Sequence, residues 1–234
     1  MAGRSMRGRA WYTGYPSRTP PPAAFAPAEQ RIVRAYRTPA RVQAFVRALP
    51  YNWEKRGATL RTFRGVVRHG EAHCLEAVLV AATVLEQHGF SPTVLDLESQ
   101  DQLDHVVMLV QVDGRWGAIA KSRDIGLHGR HPVFRTIREL VYSYVDPYVD
   151  GSGRITGYGI GYLDELVRGD WRLSERNIWE VERALYRMRH VRLRTSDRRY
   201  ARMLRRFLAL RAEGREATPA GVRELYGAAV DDWL

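Results

Sequence analysis

The chain of 234 residues holds one cysteine, Cys74, and two lysines, Lys55 and Lys121. A lone cysteine excludes an internal disulfide, so folding does not depend on an oxidising compartment and a cytoplasmic address is expected. No apolar run reaches the roughly 18 residues of a membrane-spanning helix. The longest, around Leu75 to Leu85, is interrupted by Glu76 and Thr83. The N-terminus lacks the apolar stretch of a secretory leader, since Arg4, Arg7 and Arg9 run into Trp11, Tyr12 and Pro20 to Pro22. Its glycines and prolines also break the amphipathic helix of an organellar transit peptide.

What is abundant is arginine. It supplies almost all of a formal net charge of +11, and its distribution is uneven. Residues 1–31 carry five basic side chains against one acidic, 32–167 sixteen against fifteen, and 168–211 fourteen against five. A nucleic acid or an acidic protein would therefore be met by the Arg-rich ends, above all the C-terminal helices, and not by the nearly neutral centre.

Residues 1–28 show neither a strand nor a helix period and read as a disordered, basic, Pro-rich arm. Structure should begin near Glu29. Thr38-Pro39 opens a helix carrying Val42, Phe45, Val46 and Leu49, and a second short helix is expected from Thr59 with Leu60, Phe63 and Val67 on one face. Cys74 to His88 is apolar on nearly every side and stops at Gly89, the pattern of a central buried helix. Strands follow at Thr93 to Leu97, at His105 to Val112, and, beyond an Asp113-Gly114 turn, at Arg115 to Lys121. His128 and His131 fall in an expected loop before Pro132, a helix follows through Ile137, Leu140, Val141 and Tyr144, and Gly151 to Gly161 reads as a mobile loop. Two basic helices come next, one burying Ile178, Val181, Leu185 and Met188, the other Tyr200, Leu204, Phe207 and Leu208. A short helix at Thr218-Pro219 ends the chain. The expected organisation is an arm (1–28), a main domain (29–165) and a basic helical extension packed on it (166–234).

The chemistry sits in the middle. A cysteine in the first turn of a helix gains from the helix N-terminus, which favours a thiolate, and from the first-turn N–H groups, which can receive an oxyanion. His105, opening a strand after the polar stretch Glu98 to Asp104, is placed to serve as base. Gly70-Glu71-Ala72-His73-Cys74, the small residues Ala77 and Ala81, Gly89, Asp104-His105-Val106-Val107 and Gly114-Arg115-Trp116 together resemble the transglutaminase-like superfamily, papain-related in its core, here as a bacterial-type member. The resemblance covers about a quarter of the chain. It implies an α+β fold with a Cys-bearing helix packed on a small antiparallel sheet, and peptidase, amidase or acyl-transfer chemistry on a peptide or protein through a Cys74–His105 pair. No metal or organic cofactor is needed.

In that superfamily an aspartate beyond the Trp orients the histidine, and the matching position here is Ala120. Asp124 is the candidate replacement, with Ser122 as the other possibility. Asn52, in Tyr51-Asn52-Trp53, is the candidate side-chain donor to an oxyanion. His73 should project about 100° from Cys74 on a helix and is expected to cap or to face solvent. Gly70, between His69 and His73, argues against the continuous helix that a metal site at that spacing requires. The rival reading is a catalytically degenerate scaffold that binds nucleic acid or an acidic protein through its Arg-rich ends.

Overall fold

The computed structural model describes residues 18–149 and 153–234. Three helices come first: α1 (Pro27–Ala35), α2 (Pro39–Ala48) and α3 (Phe63–His69). The Thr38 and Thr62 hydroxyls cap α2 and α3 by accepting from Arg41 N and Gly65 N. With Thr62 as its cap, α3 starts at Phe63, four residues later than the expected Thr59. Next is α4 (Cys74–Glu86), in which every residue from Leu75 to Glu86 is buried. Its sequence has no polar face, so it has to lie in the middle of the molecule.

Among the described residues six strands form one antiparallel sheet: β1 (Thr93–Ser99), β2 (His105–Val112), β3 (Arg115–Ile119), β4 (Arg130–Phe134), β5 (Ile155–Tyr162) and β6 (Val191–Arg192), in the spatial order β4-β3-β2-β1-β5-β6. Asp113 and Gly114, both at positive φ (49° and 76°), make the tight β2–β3 turn. The remaining helices are α5 (Ile137–Val145), α6 (Leu163–Leu166), α7 (Trp179–Arg187), α8 (Asp197–Ala212) and α9 (Pro219–Tyr226). Among the described residues no helix is long and apolar enough to cross a membrane.

Alternation along the strands sorts two cores. Val94, Val106, Met108 and Val110 face α4 and the helices packed around it. Leu95, Leu97, Val107 and Leu109 face α5 through Leu140, Val141 and Tyr144. A third, smaller cluster joins Val149 to Met203, Phe207, Leu210 and Leu225 from α8 and α9. The α+β class, with the Cys-bearing helix on an antiparallel sheet, is as the sequence implied, but the sheet has six strands.

Several expectations are corrected. Structure begins well before Glu29: Phe25 is buried against Phe63, and Arg18 hydrogen-bonds the Arg168 carbonyl and Asp164. Residues 1–17 of the expected arm lie outside the described residues. Much of the Gly151 to Gly161 segment is strand β5, paired with β1 over most of its length. Gly157, Gly159 and Gly161 occupy alternate positions where Glu98, Met188 and Leu166 crowd in, so the face that would have shown an apolar period has no side chains. Strand β4 replaces the expected loop at His131-Pro132; it is the last strand on its side of the sheet, where proline's missing N–H is tolerated. In α8 the buried line is Met203, Phe207 and Leu210, and Leu208 is exposed.

Many arginines of the basic C-terminal third are spent internally. Arg172 lies between Glu86 and Asp164, and Arg199 grips Asp146. Arg206 donates to the Glu224 carbonyl, and Arg215 pairs with Glu224.

Candidate active site

The stretch before α4 is fixed by its backbone. Ala72 N donates to the Pro50 carbonyl (3.1 Å) and Asn52 N to the Ala72 carbonyl (3.2 Å), holding Tyr51 alongside Ala72. Glu76, at the third position of α4 and fully buried, gathers four donors. One carboxylate oxygen accepts from His73 N (3.1 Å) and Asn52 Nδ2 (3.0 Å), the other from the Thr59 hydroxyl (3.0 Å) and Arg61 N (2.9 Å). A buried carboxylate requires such partners, and these lock the turn that presents Cys74. In the sequence Glu76 registers only as a break in an apolar run. The available signal is its place, since the third position of a helix is where a carboxylate reaches back to the cap residue's N–H.

His105 is buried and tilts against the Tyr144 ring at 5.9 Å between centroids. Its Nε2 lies 2.8 Å from the Leu127 carbonyl oxygen. A carbonyl only accepts, so this contact puts the proton on Nε2 and leaves Nδ1 as the basic atom. The same ring and Cys74 line one cavity at the end of the strand where the sheet stops. Burial by itself pushes the Cys74 thiol up; hydrogen bonds to His105 and His73, with the charges of both rings, overcome it and bring the thiol down to about 6. Cys74 is partly exposed and lines two adjoining cavities. The larger, about 410 Å3, is walled by Tyr51, Trp53, Asp104, Trp179 and Tyr186 among others. The smaller, about 160 Å3, includes His105, Leu127 and Tyr148.

The structure thus brings Cys74 and His105 together. Asp124 lies in the smaller cavity, but what His105 Nε2 touches is the Leu127 carbonyl, at the end of the 3-10 turn Ile125–Leu127 that Asp124 opens. Ser122 is occupied with Asp124 N and, through its carbonyl, with His128. The main chain of Ala120 is clasped on both sides by Gln43 (2.8 and 2.9 Å), so the expected aspartate position is used to tie β3's exit to α2. Asn52 lines the larger cavity, yet its amide donates to Glu76 and Thr59 and serves the turn rather than an oxyanion. His73 does not face solvent. Its Nε2 is 3.0 Å from the Thr59 carbonyl, and it lines the larger cavity together with Cys74. It precedes the first helical residue, with extended φ and ψ of −88° and −176°, so the helical 100° rule does not apply to it. Gly70 ends α3 in the left-handed conformation, so His69 and His73 share no helix. Among the described residues no group of three or more His, Cys, Asp or Glu side chains is arranged to hold a metal.

The family model described as Vasohibin matches residues 62–205, more than half of the chain, from the cap of α3 into α8. The chain belongs to the vasohibin family. Vasohibins have a transglutaminase-like, cysteine-protease-like fold, which agrees with the resemblance carried by the residues around Cys74 and His105. The vasohibin match includes Cys74, His105 and Leu127, whereas Asn52 and the rest of the Tyr51 segment fall before it. It gives no support for a bacterial-type placement. No curated protein matches the chain.

Proposed function

We propose that this vasohibin-family protein is a thiol enzyme that cleaves or transfers an acyl group from an amide of a peptide or protein, with Cys74 as nucleophile and His105 as general base and acid. The observation that supports the reading most is the Leu127 carbonyl behind His105 Nε2, because it fixes the tautomer that leaves Nδ1 to take the thiol proton. Proton transfer from Cys74 to His105 gives a thiolate and an imidazolium. The thiolate attacks the carbonyl carbon, and the C–N bond breaks as the imidazolium protonates the leaving amine. The resulting thioester is released by water or a second amine, which gives its proton to His105 as the C–S bond breaks. First-turn N–H groups of α4, which have no carbonyl partner inside the helix, face the developing oxyanion.

The two cavities that share Cys74 leave room for a chain that continues past the scissile bond, as in a peptide. Water as acceptor makes the protein a hydrolase and an amine makes it an acyltransferase; the chemistry at Cys74 is shared. A cytoplasmic site of action accords with a chemistry that needs a reduced thiol.

The test uses p-nitrophenyl acetate as acyl donor. An acetyl adduct should appear on Cys74 by intact mass and turn over with time. Cys74→Ala should give no adduct, and His105→Ala should acylate and deacylate at least about 100-fold more slowly. Acetylation indifferent to His105 would sink the reading.

A further inference from the structure

We infer that His73 is a second imidazole partner for the Cys74 thiolate, so that this site divides between two histidines the work usually given to one. The inference rests on the Cys74–His105 reading above and adds a residue to it.

The geometry is specific. His73 precedes Cys74 and its ring is folded back rather than extended outward, with only 14% of its side chain exposed. Nε2 lies 3.0 Å from the Thr59 carbonyl, which accepts only and therefore keeps a proton on that nitrogen. Glu76 Oε1 stands 3.7 Å from the same atom, a fully buried carboxylate whose other contacts are all donors. Cys74, the next residue, lines the same cavity as the ring. A ring held between a carbonyl, a carboxylate and a thiolate has every electrostatic reason to keep both protons. Other charged or titratable groups around it are Arg61, whose Nε lies 3.9 Å from the same Glu76 Oε1, Tyr51 and Glu54 from the segment before α3, Asp96 and Asp104 from the sheet side, Arg123, and Glu182 and Tyr186 from α7. Burial pulls the His73 ring down, but its bonds to Cys74 and the Thr59 carbonyl and the charges of Cys74 and Glu76 outweigh that and carry it up to about 9.

The consequence concerns the role left to His105. In a two-membered pair the single imidazolium must stabilise the thiolate before attack and also supply the proton that the leaving group takes as the thioester forms. Here His73 moves no proton, and its charge stands beside the sulfur whenever the thiolate is present, before attack and again as the acyl group leaves. The thiol proton still goes to His105 and from there to the amine, while the positive charge of His73 remains beside the sulfur. Buried Glu76 thereby has two tasks: its bond to His73 N shapes the turn, and its charge holds the His73 ring protonated.

The experiment follows the rate of iodoacetamide alkylation of Cys74 against pH in the full chain, read by intact mass. The native protein should show a midpoint near 6. His73→Gln, which keeps a hydrogen-bonding side chain without the charge, should move the midpoint up by about one pH unit or more, and His73→Lys should bring it most of the way back. His105→Ala should leave a midpoint still below the roughly 8.5 of an ordinary thiol. A His73→Gln midpoint unchanged from a low native value, or a His73→Lys profile equal to that of His73→Gln, overturns the inference and leaves the Cys74–His105 pair standing. A native midpoint near that of an ordinary thiol removes the pair itself. Should His73→Gln fail to fold, the His73 imidazole resonances of the native protein decide the matter: they should stay protonated through about pH 8, and loss of the proton below about pH 7 overturns the inference.

Discussion

Asparagine at position 124 should change little in the chemistry, because the atom that orients His105 belongs to a main-chain carbonyl. In Asp124→Asn, acyl turnover on p-nitrophenyl acetate is expected to stay within about threefold of native, against a loss of about 100-fold or more in His105→Ala. A loss of similar size in both variants would return the orienting role to the carboxylate. Glu76 carries the opposite expectation. Glu76→Ala strips Asn52, Thr59, Arg61 N and His73 N of their acceptor, and unfolding in urea should show a loss of about 3 kcal/mol or more. At this scale Cys74 and His105 were legible because each opens its element, and an element's first residue stands where chemistry can be presented. Leu127 was not, since a carbonyl oxygen is common to all residues and only tertiary placement singles one out. For His73 the expected cap position is the one it occupies, but the expected exposure is not found, because a rule for residues inside a helix was applied to the one just before it.

At the scale of elements, the close approaches around glycine separate sites that look alike in sequence. A Cβ at Gly117 in β3 would lie 2.7 Å from the Arg130 carbonyl oxygen and 2.8 Å from Pro132 Cα, both backbone atoms of the neighbouring strand. At Gly157 in β5 its nearest neighbour is the mobile end of Glu98, at 2.5 Å. Gly117→Ala should therefore cost about 2 kcal/mol or more and Gly157→Ala under about 1 kcal/mol, measured side by side by thermal unfolding. Equal costs would mean that the β3–β4 contact is looser than described. Elements with a strong period or a clear cap were readable, as α4, β2 and the β2–β3 turn show. Strand β5 was not, because its glycines replace the apolar residues that mark a strand. Strand β4 was hidden by His131-Pro132, a pair that reads as a loop unless the strand is known to lie at the sheet's edge.

For the molecule as a whole, one buried arginine connects the C-terminal third to α4, the helix that carries Cys74. Arg172 meets Glu86 at 2.6 Å and Asp164 at 2.7 Å while stacking on Trp171 at 3.8 Å, which joins the end of α4 to α6. With Val181 and Leu185 of α7 in the main core and β6 in the main sheet, this part of the C-terminal third is continuous in packing with the half that holds Cys74 and His105. Arg172→Met would leave two buried carboxylates facing each other, and a loss of about 3–5 kcal/mol is expected in denaturant unfolding. Stability should also depend on pH through His128. Burial first, then the Arg47 and Lys121 charges, lower it from 6.5 to about 4, so between those values the unfolded chain binds more protons and stability falls as the pH drops. Asp96 works against this: burial raises it from 3.8 to about 6, so its own contribution makes stability fall as pH rises through that window. Removing the His128 contribution with His128→Gln should therefore shrink or reverse the acid-side decline of the melting temperature.

The central claim, that Cys74 and His105 share a proton, is tested most directly by iodoacetamide alkylation of Cys74 across pH 4 to 10 in native protein and in His105→Ala. The account predicts a native midpoint near 6 that moves upward when the imidazole is removed. A midpoint of about 8.5 in both proteins would contradict it.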